Sequence, residues 1–440
     1  MKHGASAPAP EPARDTASTR VSVSGADFPA RILSMQAAIL ERGLDGWLLL
    51  DFHGTNPIAR RVLGVSDLAD APKTTRRWFY WVPASGEPVK LVHRIEPHAL
   101  DHLPGRTAIY LTWEELERTI AATIGGSGAR NAPDRGARGA GAPLRIALEY
   151  SPLARLPYVS RVDAGTVELV RRAGVEIVSS ADLAQRFEGA LDPEARRDHL
   201  RTGALLNGIM GAAFQHARVC ARSAKPATEM GLRMWILERF EEAGLYSSDP
   251  PTVAVNEHSA DAHFSNTTAL DRPIKQGDFL LLDAWAKSKR PGSIYADYTQ
   301  VAWFGASAPE THRAAFTAAR EARDAAIAYV RDSLRSGSHP RGCDVDDAAR
   351  GVIRARGWAD RFIHRTGHSI GEEVHGNGVH LDNLETRDER SLVEGTLVSV
   401  EPGVYFETFG VRTEVNVLVD GGKAVVTPEP IQTEIFLLEA

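Results

Sequence analysis

Apolar positions along the chain change their spacing, and the changes divide it. From Phe28 on, Ile32, Met35, Ile39 and Leu40 recur at helical intervals and the run stops at Gly43, which predicts a helix ended by glycine. The apolar run 47–51 reads as a buried strand. The aromatic run 78–82, the turn residues Ala84-Ser85-Gly86 and the apolar run 89–92 read as a hairpin. Further strands are expected at 145–149 and near 176–178, and helix and strand signals alternate up to about residue 188, the pattern of an α/β domain. Trp78, Tyr80 and Trp81 in that hairpin are expected to be core or interface residues rather than substrate contacts.

After Asp192 the pattern is different. Helical spacing fills 193–223, and a second helical stretch starts after Pro226. Strand-like runs follow at 252–255, 279–285, 294–303, 397–405 and 411–418, split into two groups by helices expected at 309–334 and 345–356. Each strand group is thus preceded by a pair of helices, which predicts an α+β domain with an internal pseudo-repeat. The boundary between the two domains is expected at 188–192, giving domains of 28–190 and 191–440.

Composition narrows the class of protein. The 440 residues carry 51 Lys and Arg against 57 Asp and Glu, a net charge of −6, so there is no basic face of the kind nucleic acid requires. The two cysteines, Cys220 and Cys343, are too few for a disulfide framework or a thiolate-rich zinc ribbon. No apolar run reaches the ~18–20 residues of a membrane span. Residues 1–27 are rich in Ala, Pro and Ser with no apolar core, so they are expected to be a disordered tail rather than a signal peptide, with the cytoplasm as the default location. The Gly/Ala/Arg-rich stretch 125–143 is expected to be a flexible surface insertion.

The chemistry lies in the two strand groups. Asp283 ends the apolar run Phe279-Leu280-Leu281-Leu282, Asp297 lies in Ile294-Tyr295-Ala296-Asp297-Tyr298-Thr299, and the turn residues Lys289-Arg290-Pro291-Gly292 stand between them. A hairpin folded at that turn brings the two aspartates opposite or nearly opposite each other. Glu401 follows Leu397-Val398-Ser399-Val400, Glu414 lies in Val411-Arg412-Thr413-Glu414-Val415, and Glu407-Thr408-Phe409-Gly410 supplies a turn midway. Like charges facing each other across a ladder are destabilising, and burying them requires either a raised pKa or a cation between them. Three histidines, His364, His368 and His375, fall in a glycine-rich stretch nearby. One neutral imidazole with four carboxylates is an oxygen-dominated donor set, suited to two divalent ions of the manganese, cobalt, iron or zinc kind. Two such ions ~3.5–4 Å apart can lower the pKa of a shared water while polarising a carbonyl.

In order, Asp283, Asp297, His368, Glu401 and Glu414 resemble the dinuclear ligand set of the pita-bread metallopeptidases: prolidase, aminopeptidase P and methionine aminopeptidase. The segment from His364 to His375 is similar to the Xaa-Pro peptidase signature, and Val400-Glu401-Pro402-Gly403-Val404-Tyr405 resembles that family's glutamate strand. Asp51-Phe52-His53-Gly54-Thr55-Asn56 sits where the creatinase-type N-terminal domain has its first strand-to-loop segment. The resemblance implies an α/β N-terminal domain followed by an α+β pita-bread catalytic domain, and a dinuclear enzyme that cleaves between an N-terminal residue and proline. It also implies two divalent ions per chain (manganese first, cobalt or zinc as alternatives) and a homodimer acting on small peptides, with no nucleic acid and no membrane. Between prolidase and aminopeptidase P the reading leans to the dipeptidase. A metal-free creatinase-like amidinohydrolase and a non-catalytic binding protein are the readings of other classes, and both usually lack the complete ligand set.

Carried over to this chain, Asp283 would chelate one ion, Asp297 and Glu414 would bridge both, and His368 and Glu401 would complete the ligand set of the other ion. Glu401 would also carry the proton from water to the leaving nitrogen. His263, His364 and His375 match substrate-site positions, with His364 and His375 as donors to the scissile carbonyl or product carboxylate. Arg412 shares a strand face with Glu414 and is expected to steady Asp283 or another ligand, while Thr299 shares a face with Asp297 and is expected to orient it. The chain departs from the family pattern in a longer gap between the aspartates, in Glu372 and Gly376 beside the signature histidines, and in Gln300 where arginine is common.

Overall fold

In the computed structural model, which describes residues 28–65, 74–126, 142–223 and 226–439, the first helix is the predicted one. Helix α1 (Phe28–Glu41) buries Phe28, Ile32, Met35 and Ile39 along one stripe. Gly43, at φ +60°, closes it with its amide bonded to Leu40 O at 2.9 Å. Strand β1 (Gly46–Asp51) lies inside a six-stranded sheet of order β4-β3-β2-β1-β5-β6. Its neighbours are β2 (Trp78–Pro83), β3 (Val89–His93), β4 (Arg106–Tyr110), β5 (Arg145–Leu148) and β6 (Glu176–Ser179).

Both faces of this sheet are covered, which explains why β1 and β2 are apolar throughout rather than alternating. Trp47, Leu49, Trp78 and Tyr80 pack with α1 and with α2 (Pro57–Val62). Leu48, Leu50, Phe79 and Trp81 pack on the other face with α3 (Trp113–Gly126) and α4 (Ala164–Arg171). The tryptophan hairpin is therefore core on both sides. Gly46 is required by that packing, since a Cβ there would stand 2.1 Å from the Trp81 indole. The expectations for 1–27 and for 127–141 of the surface insertion lie outside the described residues, and residues 125 and 126 complete α3.

The second half opens with α5 (Pro193–Ala221), whose N-terminus is capped by the Asp192 carboxylate accepting from the Glu194 and Ala195 amides. Helix α6 (Glu229–Glu242), strands β7 (Leu245–Tyr246) and β8 (Thr252–Val255), and the long hairpin β9 (Phe279–Ser288) and β10 (Ala296–Trp303) follow. Helices α7 (Glu310–Arg335) and α8 (Gly342–Ala355) then precede β11 (Leu397–Val400), β12 (Gly403–Tyr405), β13 (Gly410–Arg412), β14 (Val415–Asp420), β15 (Lys423–Thr427) and β16 (Phe436–Leu437). Two helices before each strand group is the repeat expected from the sequence. Among the described residues no helix is long and apolar enough to cross a membrane.

The two hairpins differ in one respect that the pattern of residues did not reveal. The first is continuous, with Asp283 paired to Thr299 and Asp297 to Trp285, so the aspartates stand two positions off direct opposition. The second was expected as two unbroken strands, 397–405 and 411–418, and this is corrected. Its ladder runs from Leu397↔Leu418 to Val400↔Val415, stops, and resumes at Gly403↔Arg412. Glu401 and Glu414 occupy the gap, directly opposite each other in the same register. Their amides turn elsewhere, Glu401 N to Thr366 O at 2.7 Å and Glu414 N to Thr299 O at 3.1 Å. The second bond, together with Asn416, ties the two hairpins together. The Asn416 side chain accepts from Asp297 N at 3.0 Å and donates to Asp297 O at 2.7 Å.

Candidate active site

All nine residues singled out for metal binding and catalysis line one cavity of about 450 Å³. Hairpin β9–β10 supplies Asp283 and Asp297, and the broken hairpin supplies Glu401, Arg412 and Glu414. The segment 364–375 brings His364, His368 and His375. His263 reaches the rim from a turn, with an exposed side chain.

His368 is the pivot. Its amide N–H donates to Ser399 Oγ at 2.9 Å, and its Nδ1–H donates to Ser369 O at 3.1 Å. That leaves the Nε2 lone pair facing the acids, 3.5 Å from Asp297 Oδ2 and 3.4 Å from Glu401 Oε1. Burial keeps the imidazole neutral by lowering its pKa. Asp297 and Glu414 are pushed the other way, well above the ordinary carboxylate range. Burial is the main cause for both, followed for Asp297 by the charges of Asp283 and Glu401 and for Glu414 by those of Asp297 and Glu401.

The donor chemistry fits a divalent cation. Asp297, His368 and Glu414 each offer a ligand atom, all within 4.8 Å of one another. Asp297 Oδ1 and Glu414 Oε1 are buried with no hydrogen-bond partner among the described residues. A buried carboxylate oxygen with neither donor nor cation is costly, so these two oxygens call for a positive partner.

Around this cluster Asp283 is clamped by its neighbours. Arg412 Nη2 donates to Asp283 Oδ2 at 2.5 Å, its Nε to Thr299 Oγ1 at 3.1 Å, and its Nη1 to Ala262 O at 3.1 Å and Tyr405 Oη at 3.2 Å. The expectation that Thr299 orients Asp297 is corrected. Its hydroxyl bonds Asp283 Oδ1 at 3.0 Å and Glu414 Oε2 at 2.8 Å, because ladder register puts Thr299 directly across from Asp283, whereas Asp297 is two residues along the same strand.

The histidines divide in a way the sequence did not show. His364 was expected as a donor to substrate, and this too is corrected. Its Nδ1–H donates to Arg365 O at 2.7 Å and its Nε2 accepts from the Tyr405 hydroxyl at 2.8 Å, so both nitrogens are used inside the protein. Burial lowers its pKa to about 4, consistent with a neutral ring. His375 makes no side-chain hydrogen bond among the described residues and packs edge-on against His368 with ring centroids 4.4 Å apart. Although its ring edge is open to the cavity, desolvation, with the neighbouring Arg365 and His368 adding to it, brings its pKa to about 4. A neutral imidazole with a free N–H facing the cavity is a hydrogen-bond donor ready for a carbonyl. Among the departures from the family pattern, Gln300 donates to Asn207 Oδ1 at 3.1 Å, away from the acids.

Three participants were not legible in the sequence. Tyr405 connects Arg412 to His364, Ser399 donates to Glu401 Oε1 at 3.1 Å, and Arg365 lines the cavity with its side chain bonded to Tyr158 of the first half. Tyr405 and Arg365 lie inside the quoted motifs, but nothing in their spacing marks a role.

The chain is similar to known metallopeptidases. Residues 205–421 match the model of metallopeptidase family M24. A Mycobacterium bovis protein described as "Probable dipeptidase PepE" is 28% identical over 352 residues, covering 78% of this chain and 81% of its own. The Xaa-Pro dipeptidase of Pyrococcus furiosus is 30% identical over 164 residues, 37% of this chain and 43% of that protein. The chain spans about half the length of other curated relatives it matches, 54% and 52% for two of them. The crystal structure of dipeptidase PepE from Mycobacterium ulcerans superposes with a TM-score of 0.66 at 23% identity, covering 94% of this chain and 99% of that one. This likeness shows the fold: an α/β N-terminal domain followed by the pita-bread domain.

Proposed function

We propose that this chain, whose residues 205–421 match metallopeptidase family M24, is a dinuclear Xaa-Pro peptidase of that family, leaning to Xaa-Pro dipeptidase, with Asp283, Asp297, His368, Glu401 and Glu414 as its metal ligands. The observation that carries the reading is the pair of buried, partnerless oxygens on Asp297 and Glu414 beside the free Nε2 of a neutral His368. Two divalent ions held by these five residues would supply a water of lowered pKa and polarise the scissile carbonyl.

The chain's own groups account for the rest. Glu401, with Oε1 steadied by Ser399, takes the proton from the attacking water and delivers it to the leaving nitrogen. His375 donates its free N–H to the substrate carbonyl, where negative charge develops. The acidic cluster attracts the protonated N-terminal amine, so a blocked N-terminus is excluded. Proline lacks an N–H, so its nitrogen asks for no acceptor, and Phe264, Trp285 and Val374 give the cavity an apolar wall for the ring. His263 stands at the rim on the product side. His364 acts through Tyr405 by fixing Arg412, and hence Asp283, in place.

Manganese is the ion proposed, with cobalt or zinc as substitutes, and a homodimer is the assembly proposed from the family resemblance. The cytoplasm is the proposed compartment, in keeping with two unpaired cysteines. A second reading, Xaa-Pro aminopeptidase action on longer peptides, is favoured by a cavity of about 450 Å³, which is roomy for a dipeptide.

The test is metal content and substrate preference. Protein purified without chelator should hold close to two ions, hydrolyse Ala-Pro with added manganese, and turn over Ala-Ala at least ~10-fold more slowly, a difference of only ~1.4 kcal/mol in transition-state binding. Equal rates on the two dipeptides would remove the proline assignment. A chain that binds no divalent ion would remove the peptidase.

A further inference from the structure

We propose that Arg365, held in position by Tyr158 of the N-terminal domain, is the cation that docks the free α-carboxylate of a dipeptide and so selects dipeptides over longer chains. This rests on the Xaa-Pro reading above and assigns the group that sets substrate length.

Three guanidiniums line the cavity: Arg233, Arg365 and Arg412. Arg412 is committed to Asp283. Arg365 is not committed to any acid. Among the described residues its side chain makes no ion pair, and its Nη1 donates only to the neutral hydroxyl of Tyr158. A half-buried guanidinium that faces the cavity and is itself paired with none of the carboxylates lining it has donors and charge left for an anionic ligand, and its planar fork matches a carboxylate.

Position decides between the two uncommitted arginines. In a dipeptide the terminal carboxylate carbon is three bonds from the scissile carbonyl carbon, at most about 4 Å away. The group that recognises it must therefore stand beside the reacting centre. Arg365 is three residues from His368, and its positive charge acts on His368, His375 and Glu401. Arg233 comes from α6, far from the signature histidines in the chain, and gives Nη1 to Asn266 O at 2.9 Å.

The anchor comes from the other half of the chain. Tyr158 sits in a short turn (Pro157–Val159), its ring packed on His380 with centroids 3.9 Å apart and the Arg365 guanidinium carbon 5.7 Å from its centre. Arg161, next to that turn, donates to Asn377 Oδ1 at 2.9 Å, so the turn is fixed to the segment that follows His375. An aromatic face and a hydroxyl together hold a long, flexible side chain in one orientation, which reduces the entropy lost when a carboxylate binds. In a longer peptide a neutral amide takes the carboxylate's place, and Arg365 would then lose both water and counter-ion.

The experiment uses the full-length, manganese-loaded protein with Ala-Pro, Ala-Pro-amide and Ala-Pro-Ala. The wild type should prefer Ala-Pro over its amide by at least ~10-fold in kcat/KM, the scale of a hydrogen-bonded charge pair. Arg365→Met should lose a similar factor on Ala-Pro, mainly through KM, with the amide rate and the metal content near wild type. Arg365→Lys should recover part of the loss because it keeps the charge. Tyr158→Phe, which removes only the hydroxyl of the positioning residue, should move KM for Ala-Pro in the same direction by a smaller factor and leave the amide unchanged. The proposal is overturned if the wild type treats acid and amide alike, or if Arg365→Met lowers both substrates equally. A wild type inactive on all three would overturn the Xaa-Pro reading, and this inference with it.

Discussion

Two regions of this protein bury carboxylates completely, and they satisfy them in opposite ways. In the N-terminal sheet Glu149, fully buried at the end of β5, receives Trp47 Nε1–H on one oxygen at 2.7 Å and Asn56 Nδ2–H on the other at 2.9 Å. In the catalytic half Asp297 and Glu414 are as deeply buried, yet each keeps one oxygen with no partner. Burial raises the pKa of all three. The comparison teaches that burial and a raised pKa do not by themselves mark a site. What separates the two regions is whether neutral donors have already used the oxygens. Glu149 joins β1, β5 and the loop after β1 as a structural bracket, whereas Asp297 and Glu414 are left needing a cation.

The largest expected effect breaks that contrast directly. Asp297→Asn should lower kcat/KM by more than the ~10–100-fold that outer-layer partners of a metal site usually cost, and should lose at least one ion by elemental analysis. Glu149→Gln should do the reverse. It places an amide N–H against a donor, so it should lower the unfolding free energy measured in urea by an amount on the order of 1–3 kcal/mol while metal content stays at wild type. Full activity and two ions in Asp297→Asn would end the ligand assignment.

Next come the histidines. His368→Ala should lose metal and activity together, whereas His375→Ala should lose at least ~10-fold in kcat/KM with its ions retained, because only His368 turns a lone pair toward the acids. The opposite pattern in metal content would show that their roles are exchanged. Thr299→Val, nearly the same size, removes the hydroxyl shared by Asp283 and Glu414 and should weaken metal affinity by roughly 10-fold in a competition titration.

The smallest effect is a pH slope. In chelated protein the folded chain keeps protons on Asp297 and Glu414 that the unfolded chain has released above the ordinary carboxylate range. The folded state binds more protons there, so metal-free stability should fall as pH rises from about 5 to about 8. Metal-loaded protein should not show that fall, since the ions replace the protons. Glu149 contributes equally to both forms, so the difference between two melting series isolates the centre. Identical slopes with and without chelator would contradict the assigned electrostatics.

Much of the fold and site was legible because it depends on local spacing. The helix ended at Gly43, the tryptophan hairpin and the two helix pairs follow from periodicity and end signals within a few residues. The aspartate pair was readable because a strand has period two and a turn fixes its register. The glutamates were placed opposite each other for the same reason, and their positions in the interrupted ladder are in that register.

What only the tertiary structure decided are contacts between residues far apart in the chain. The ladder opens at Glu401 and Glu414 because Thr366 and Thr299 take their amides. Thr299 serves Asp283 and Glu414 rather than Asp297 because a cross-strand partner is nearer than a neighbour two residues along. His364 has no free N–H because Tyr405 reaches it from another strand. Arg365 meets Tyr158 across 207 positions of sequence. The sequence by itself determined which groups could bind metal and in what order, since residue type and period are local properties. Which oxygens are left without a partner, and which arginine is left without an acid, depends on the directions of side chains brought together from separate elements, and packing alone sets those directions.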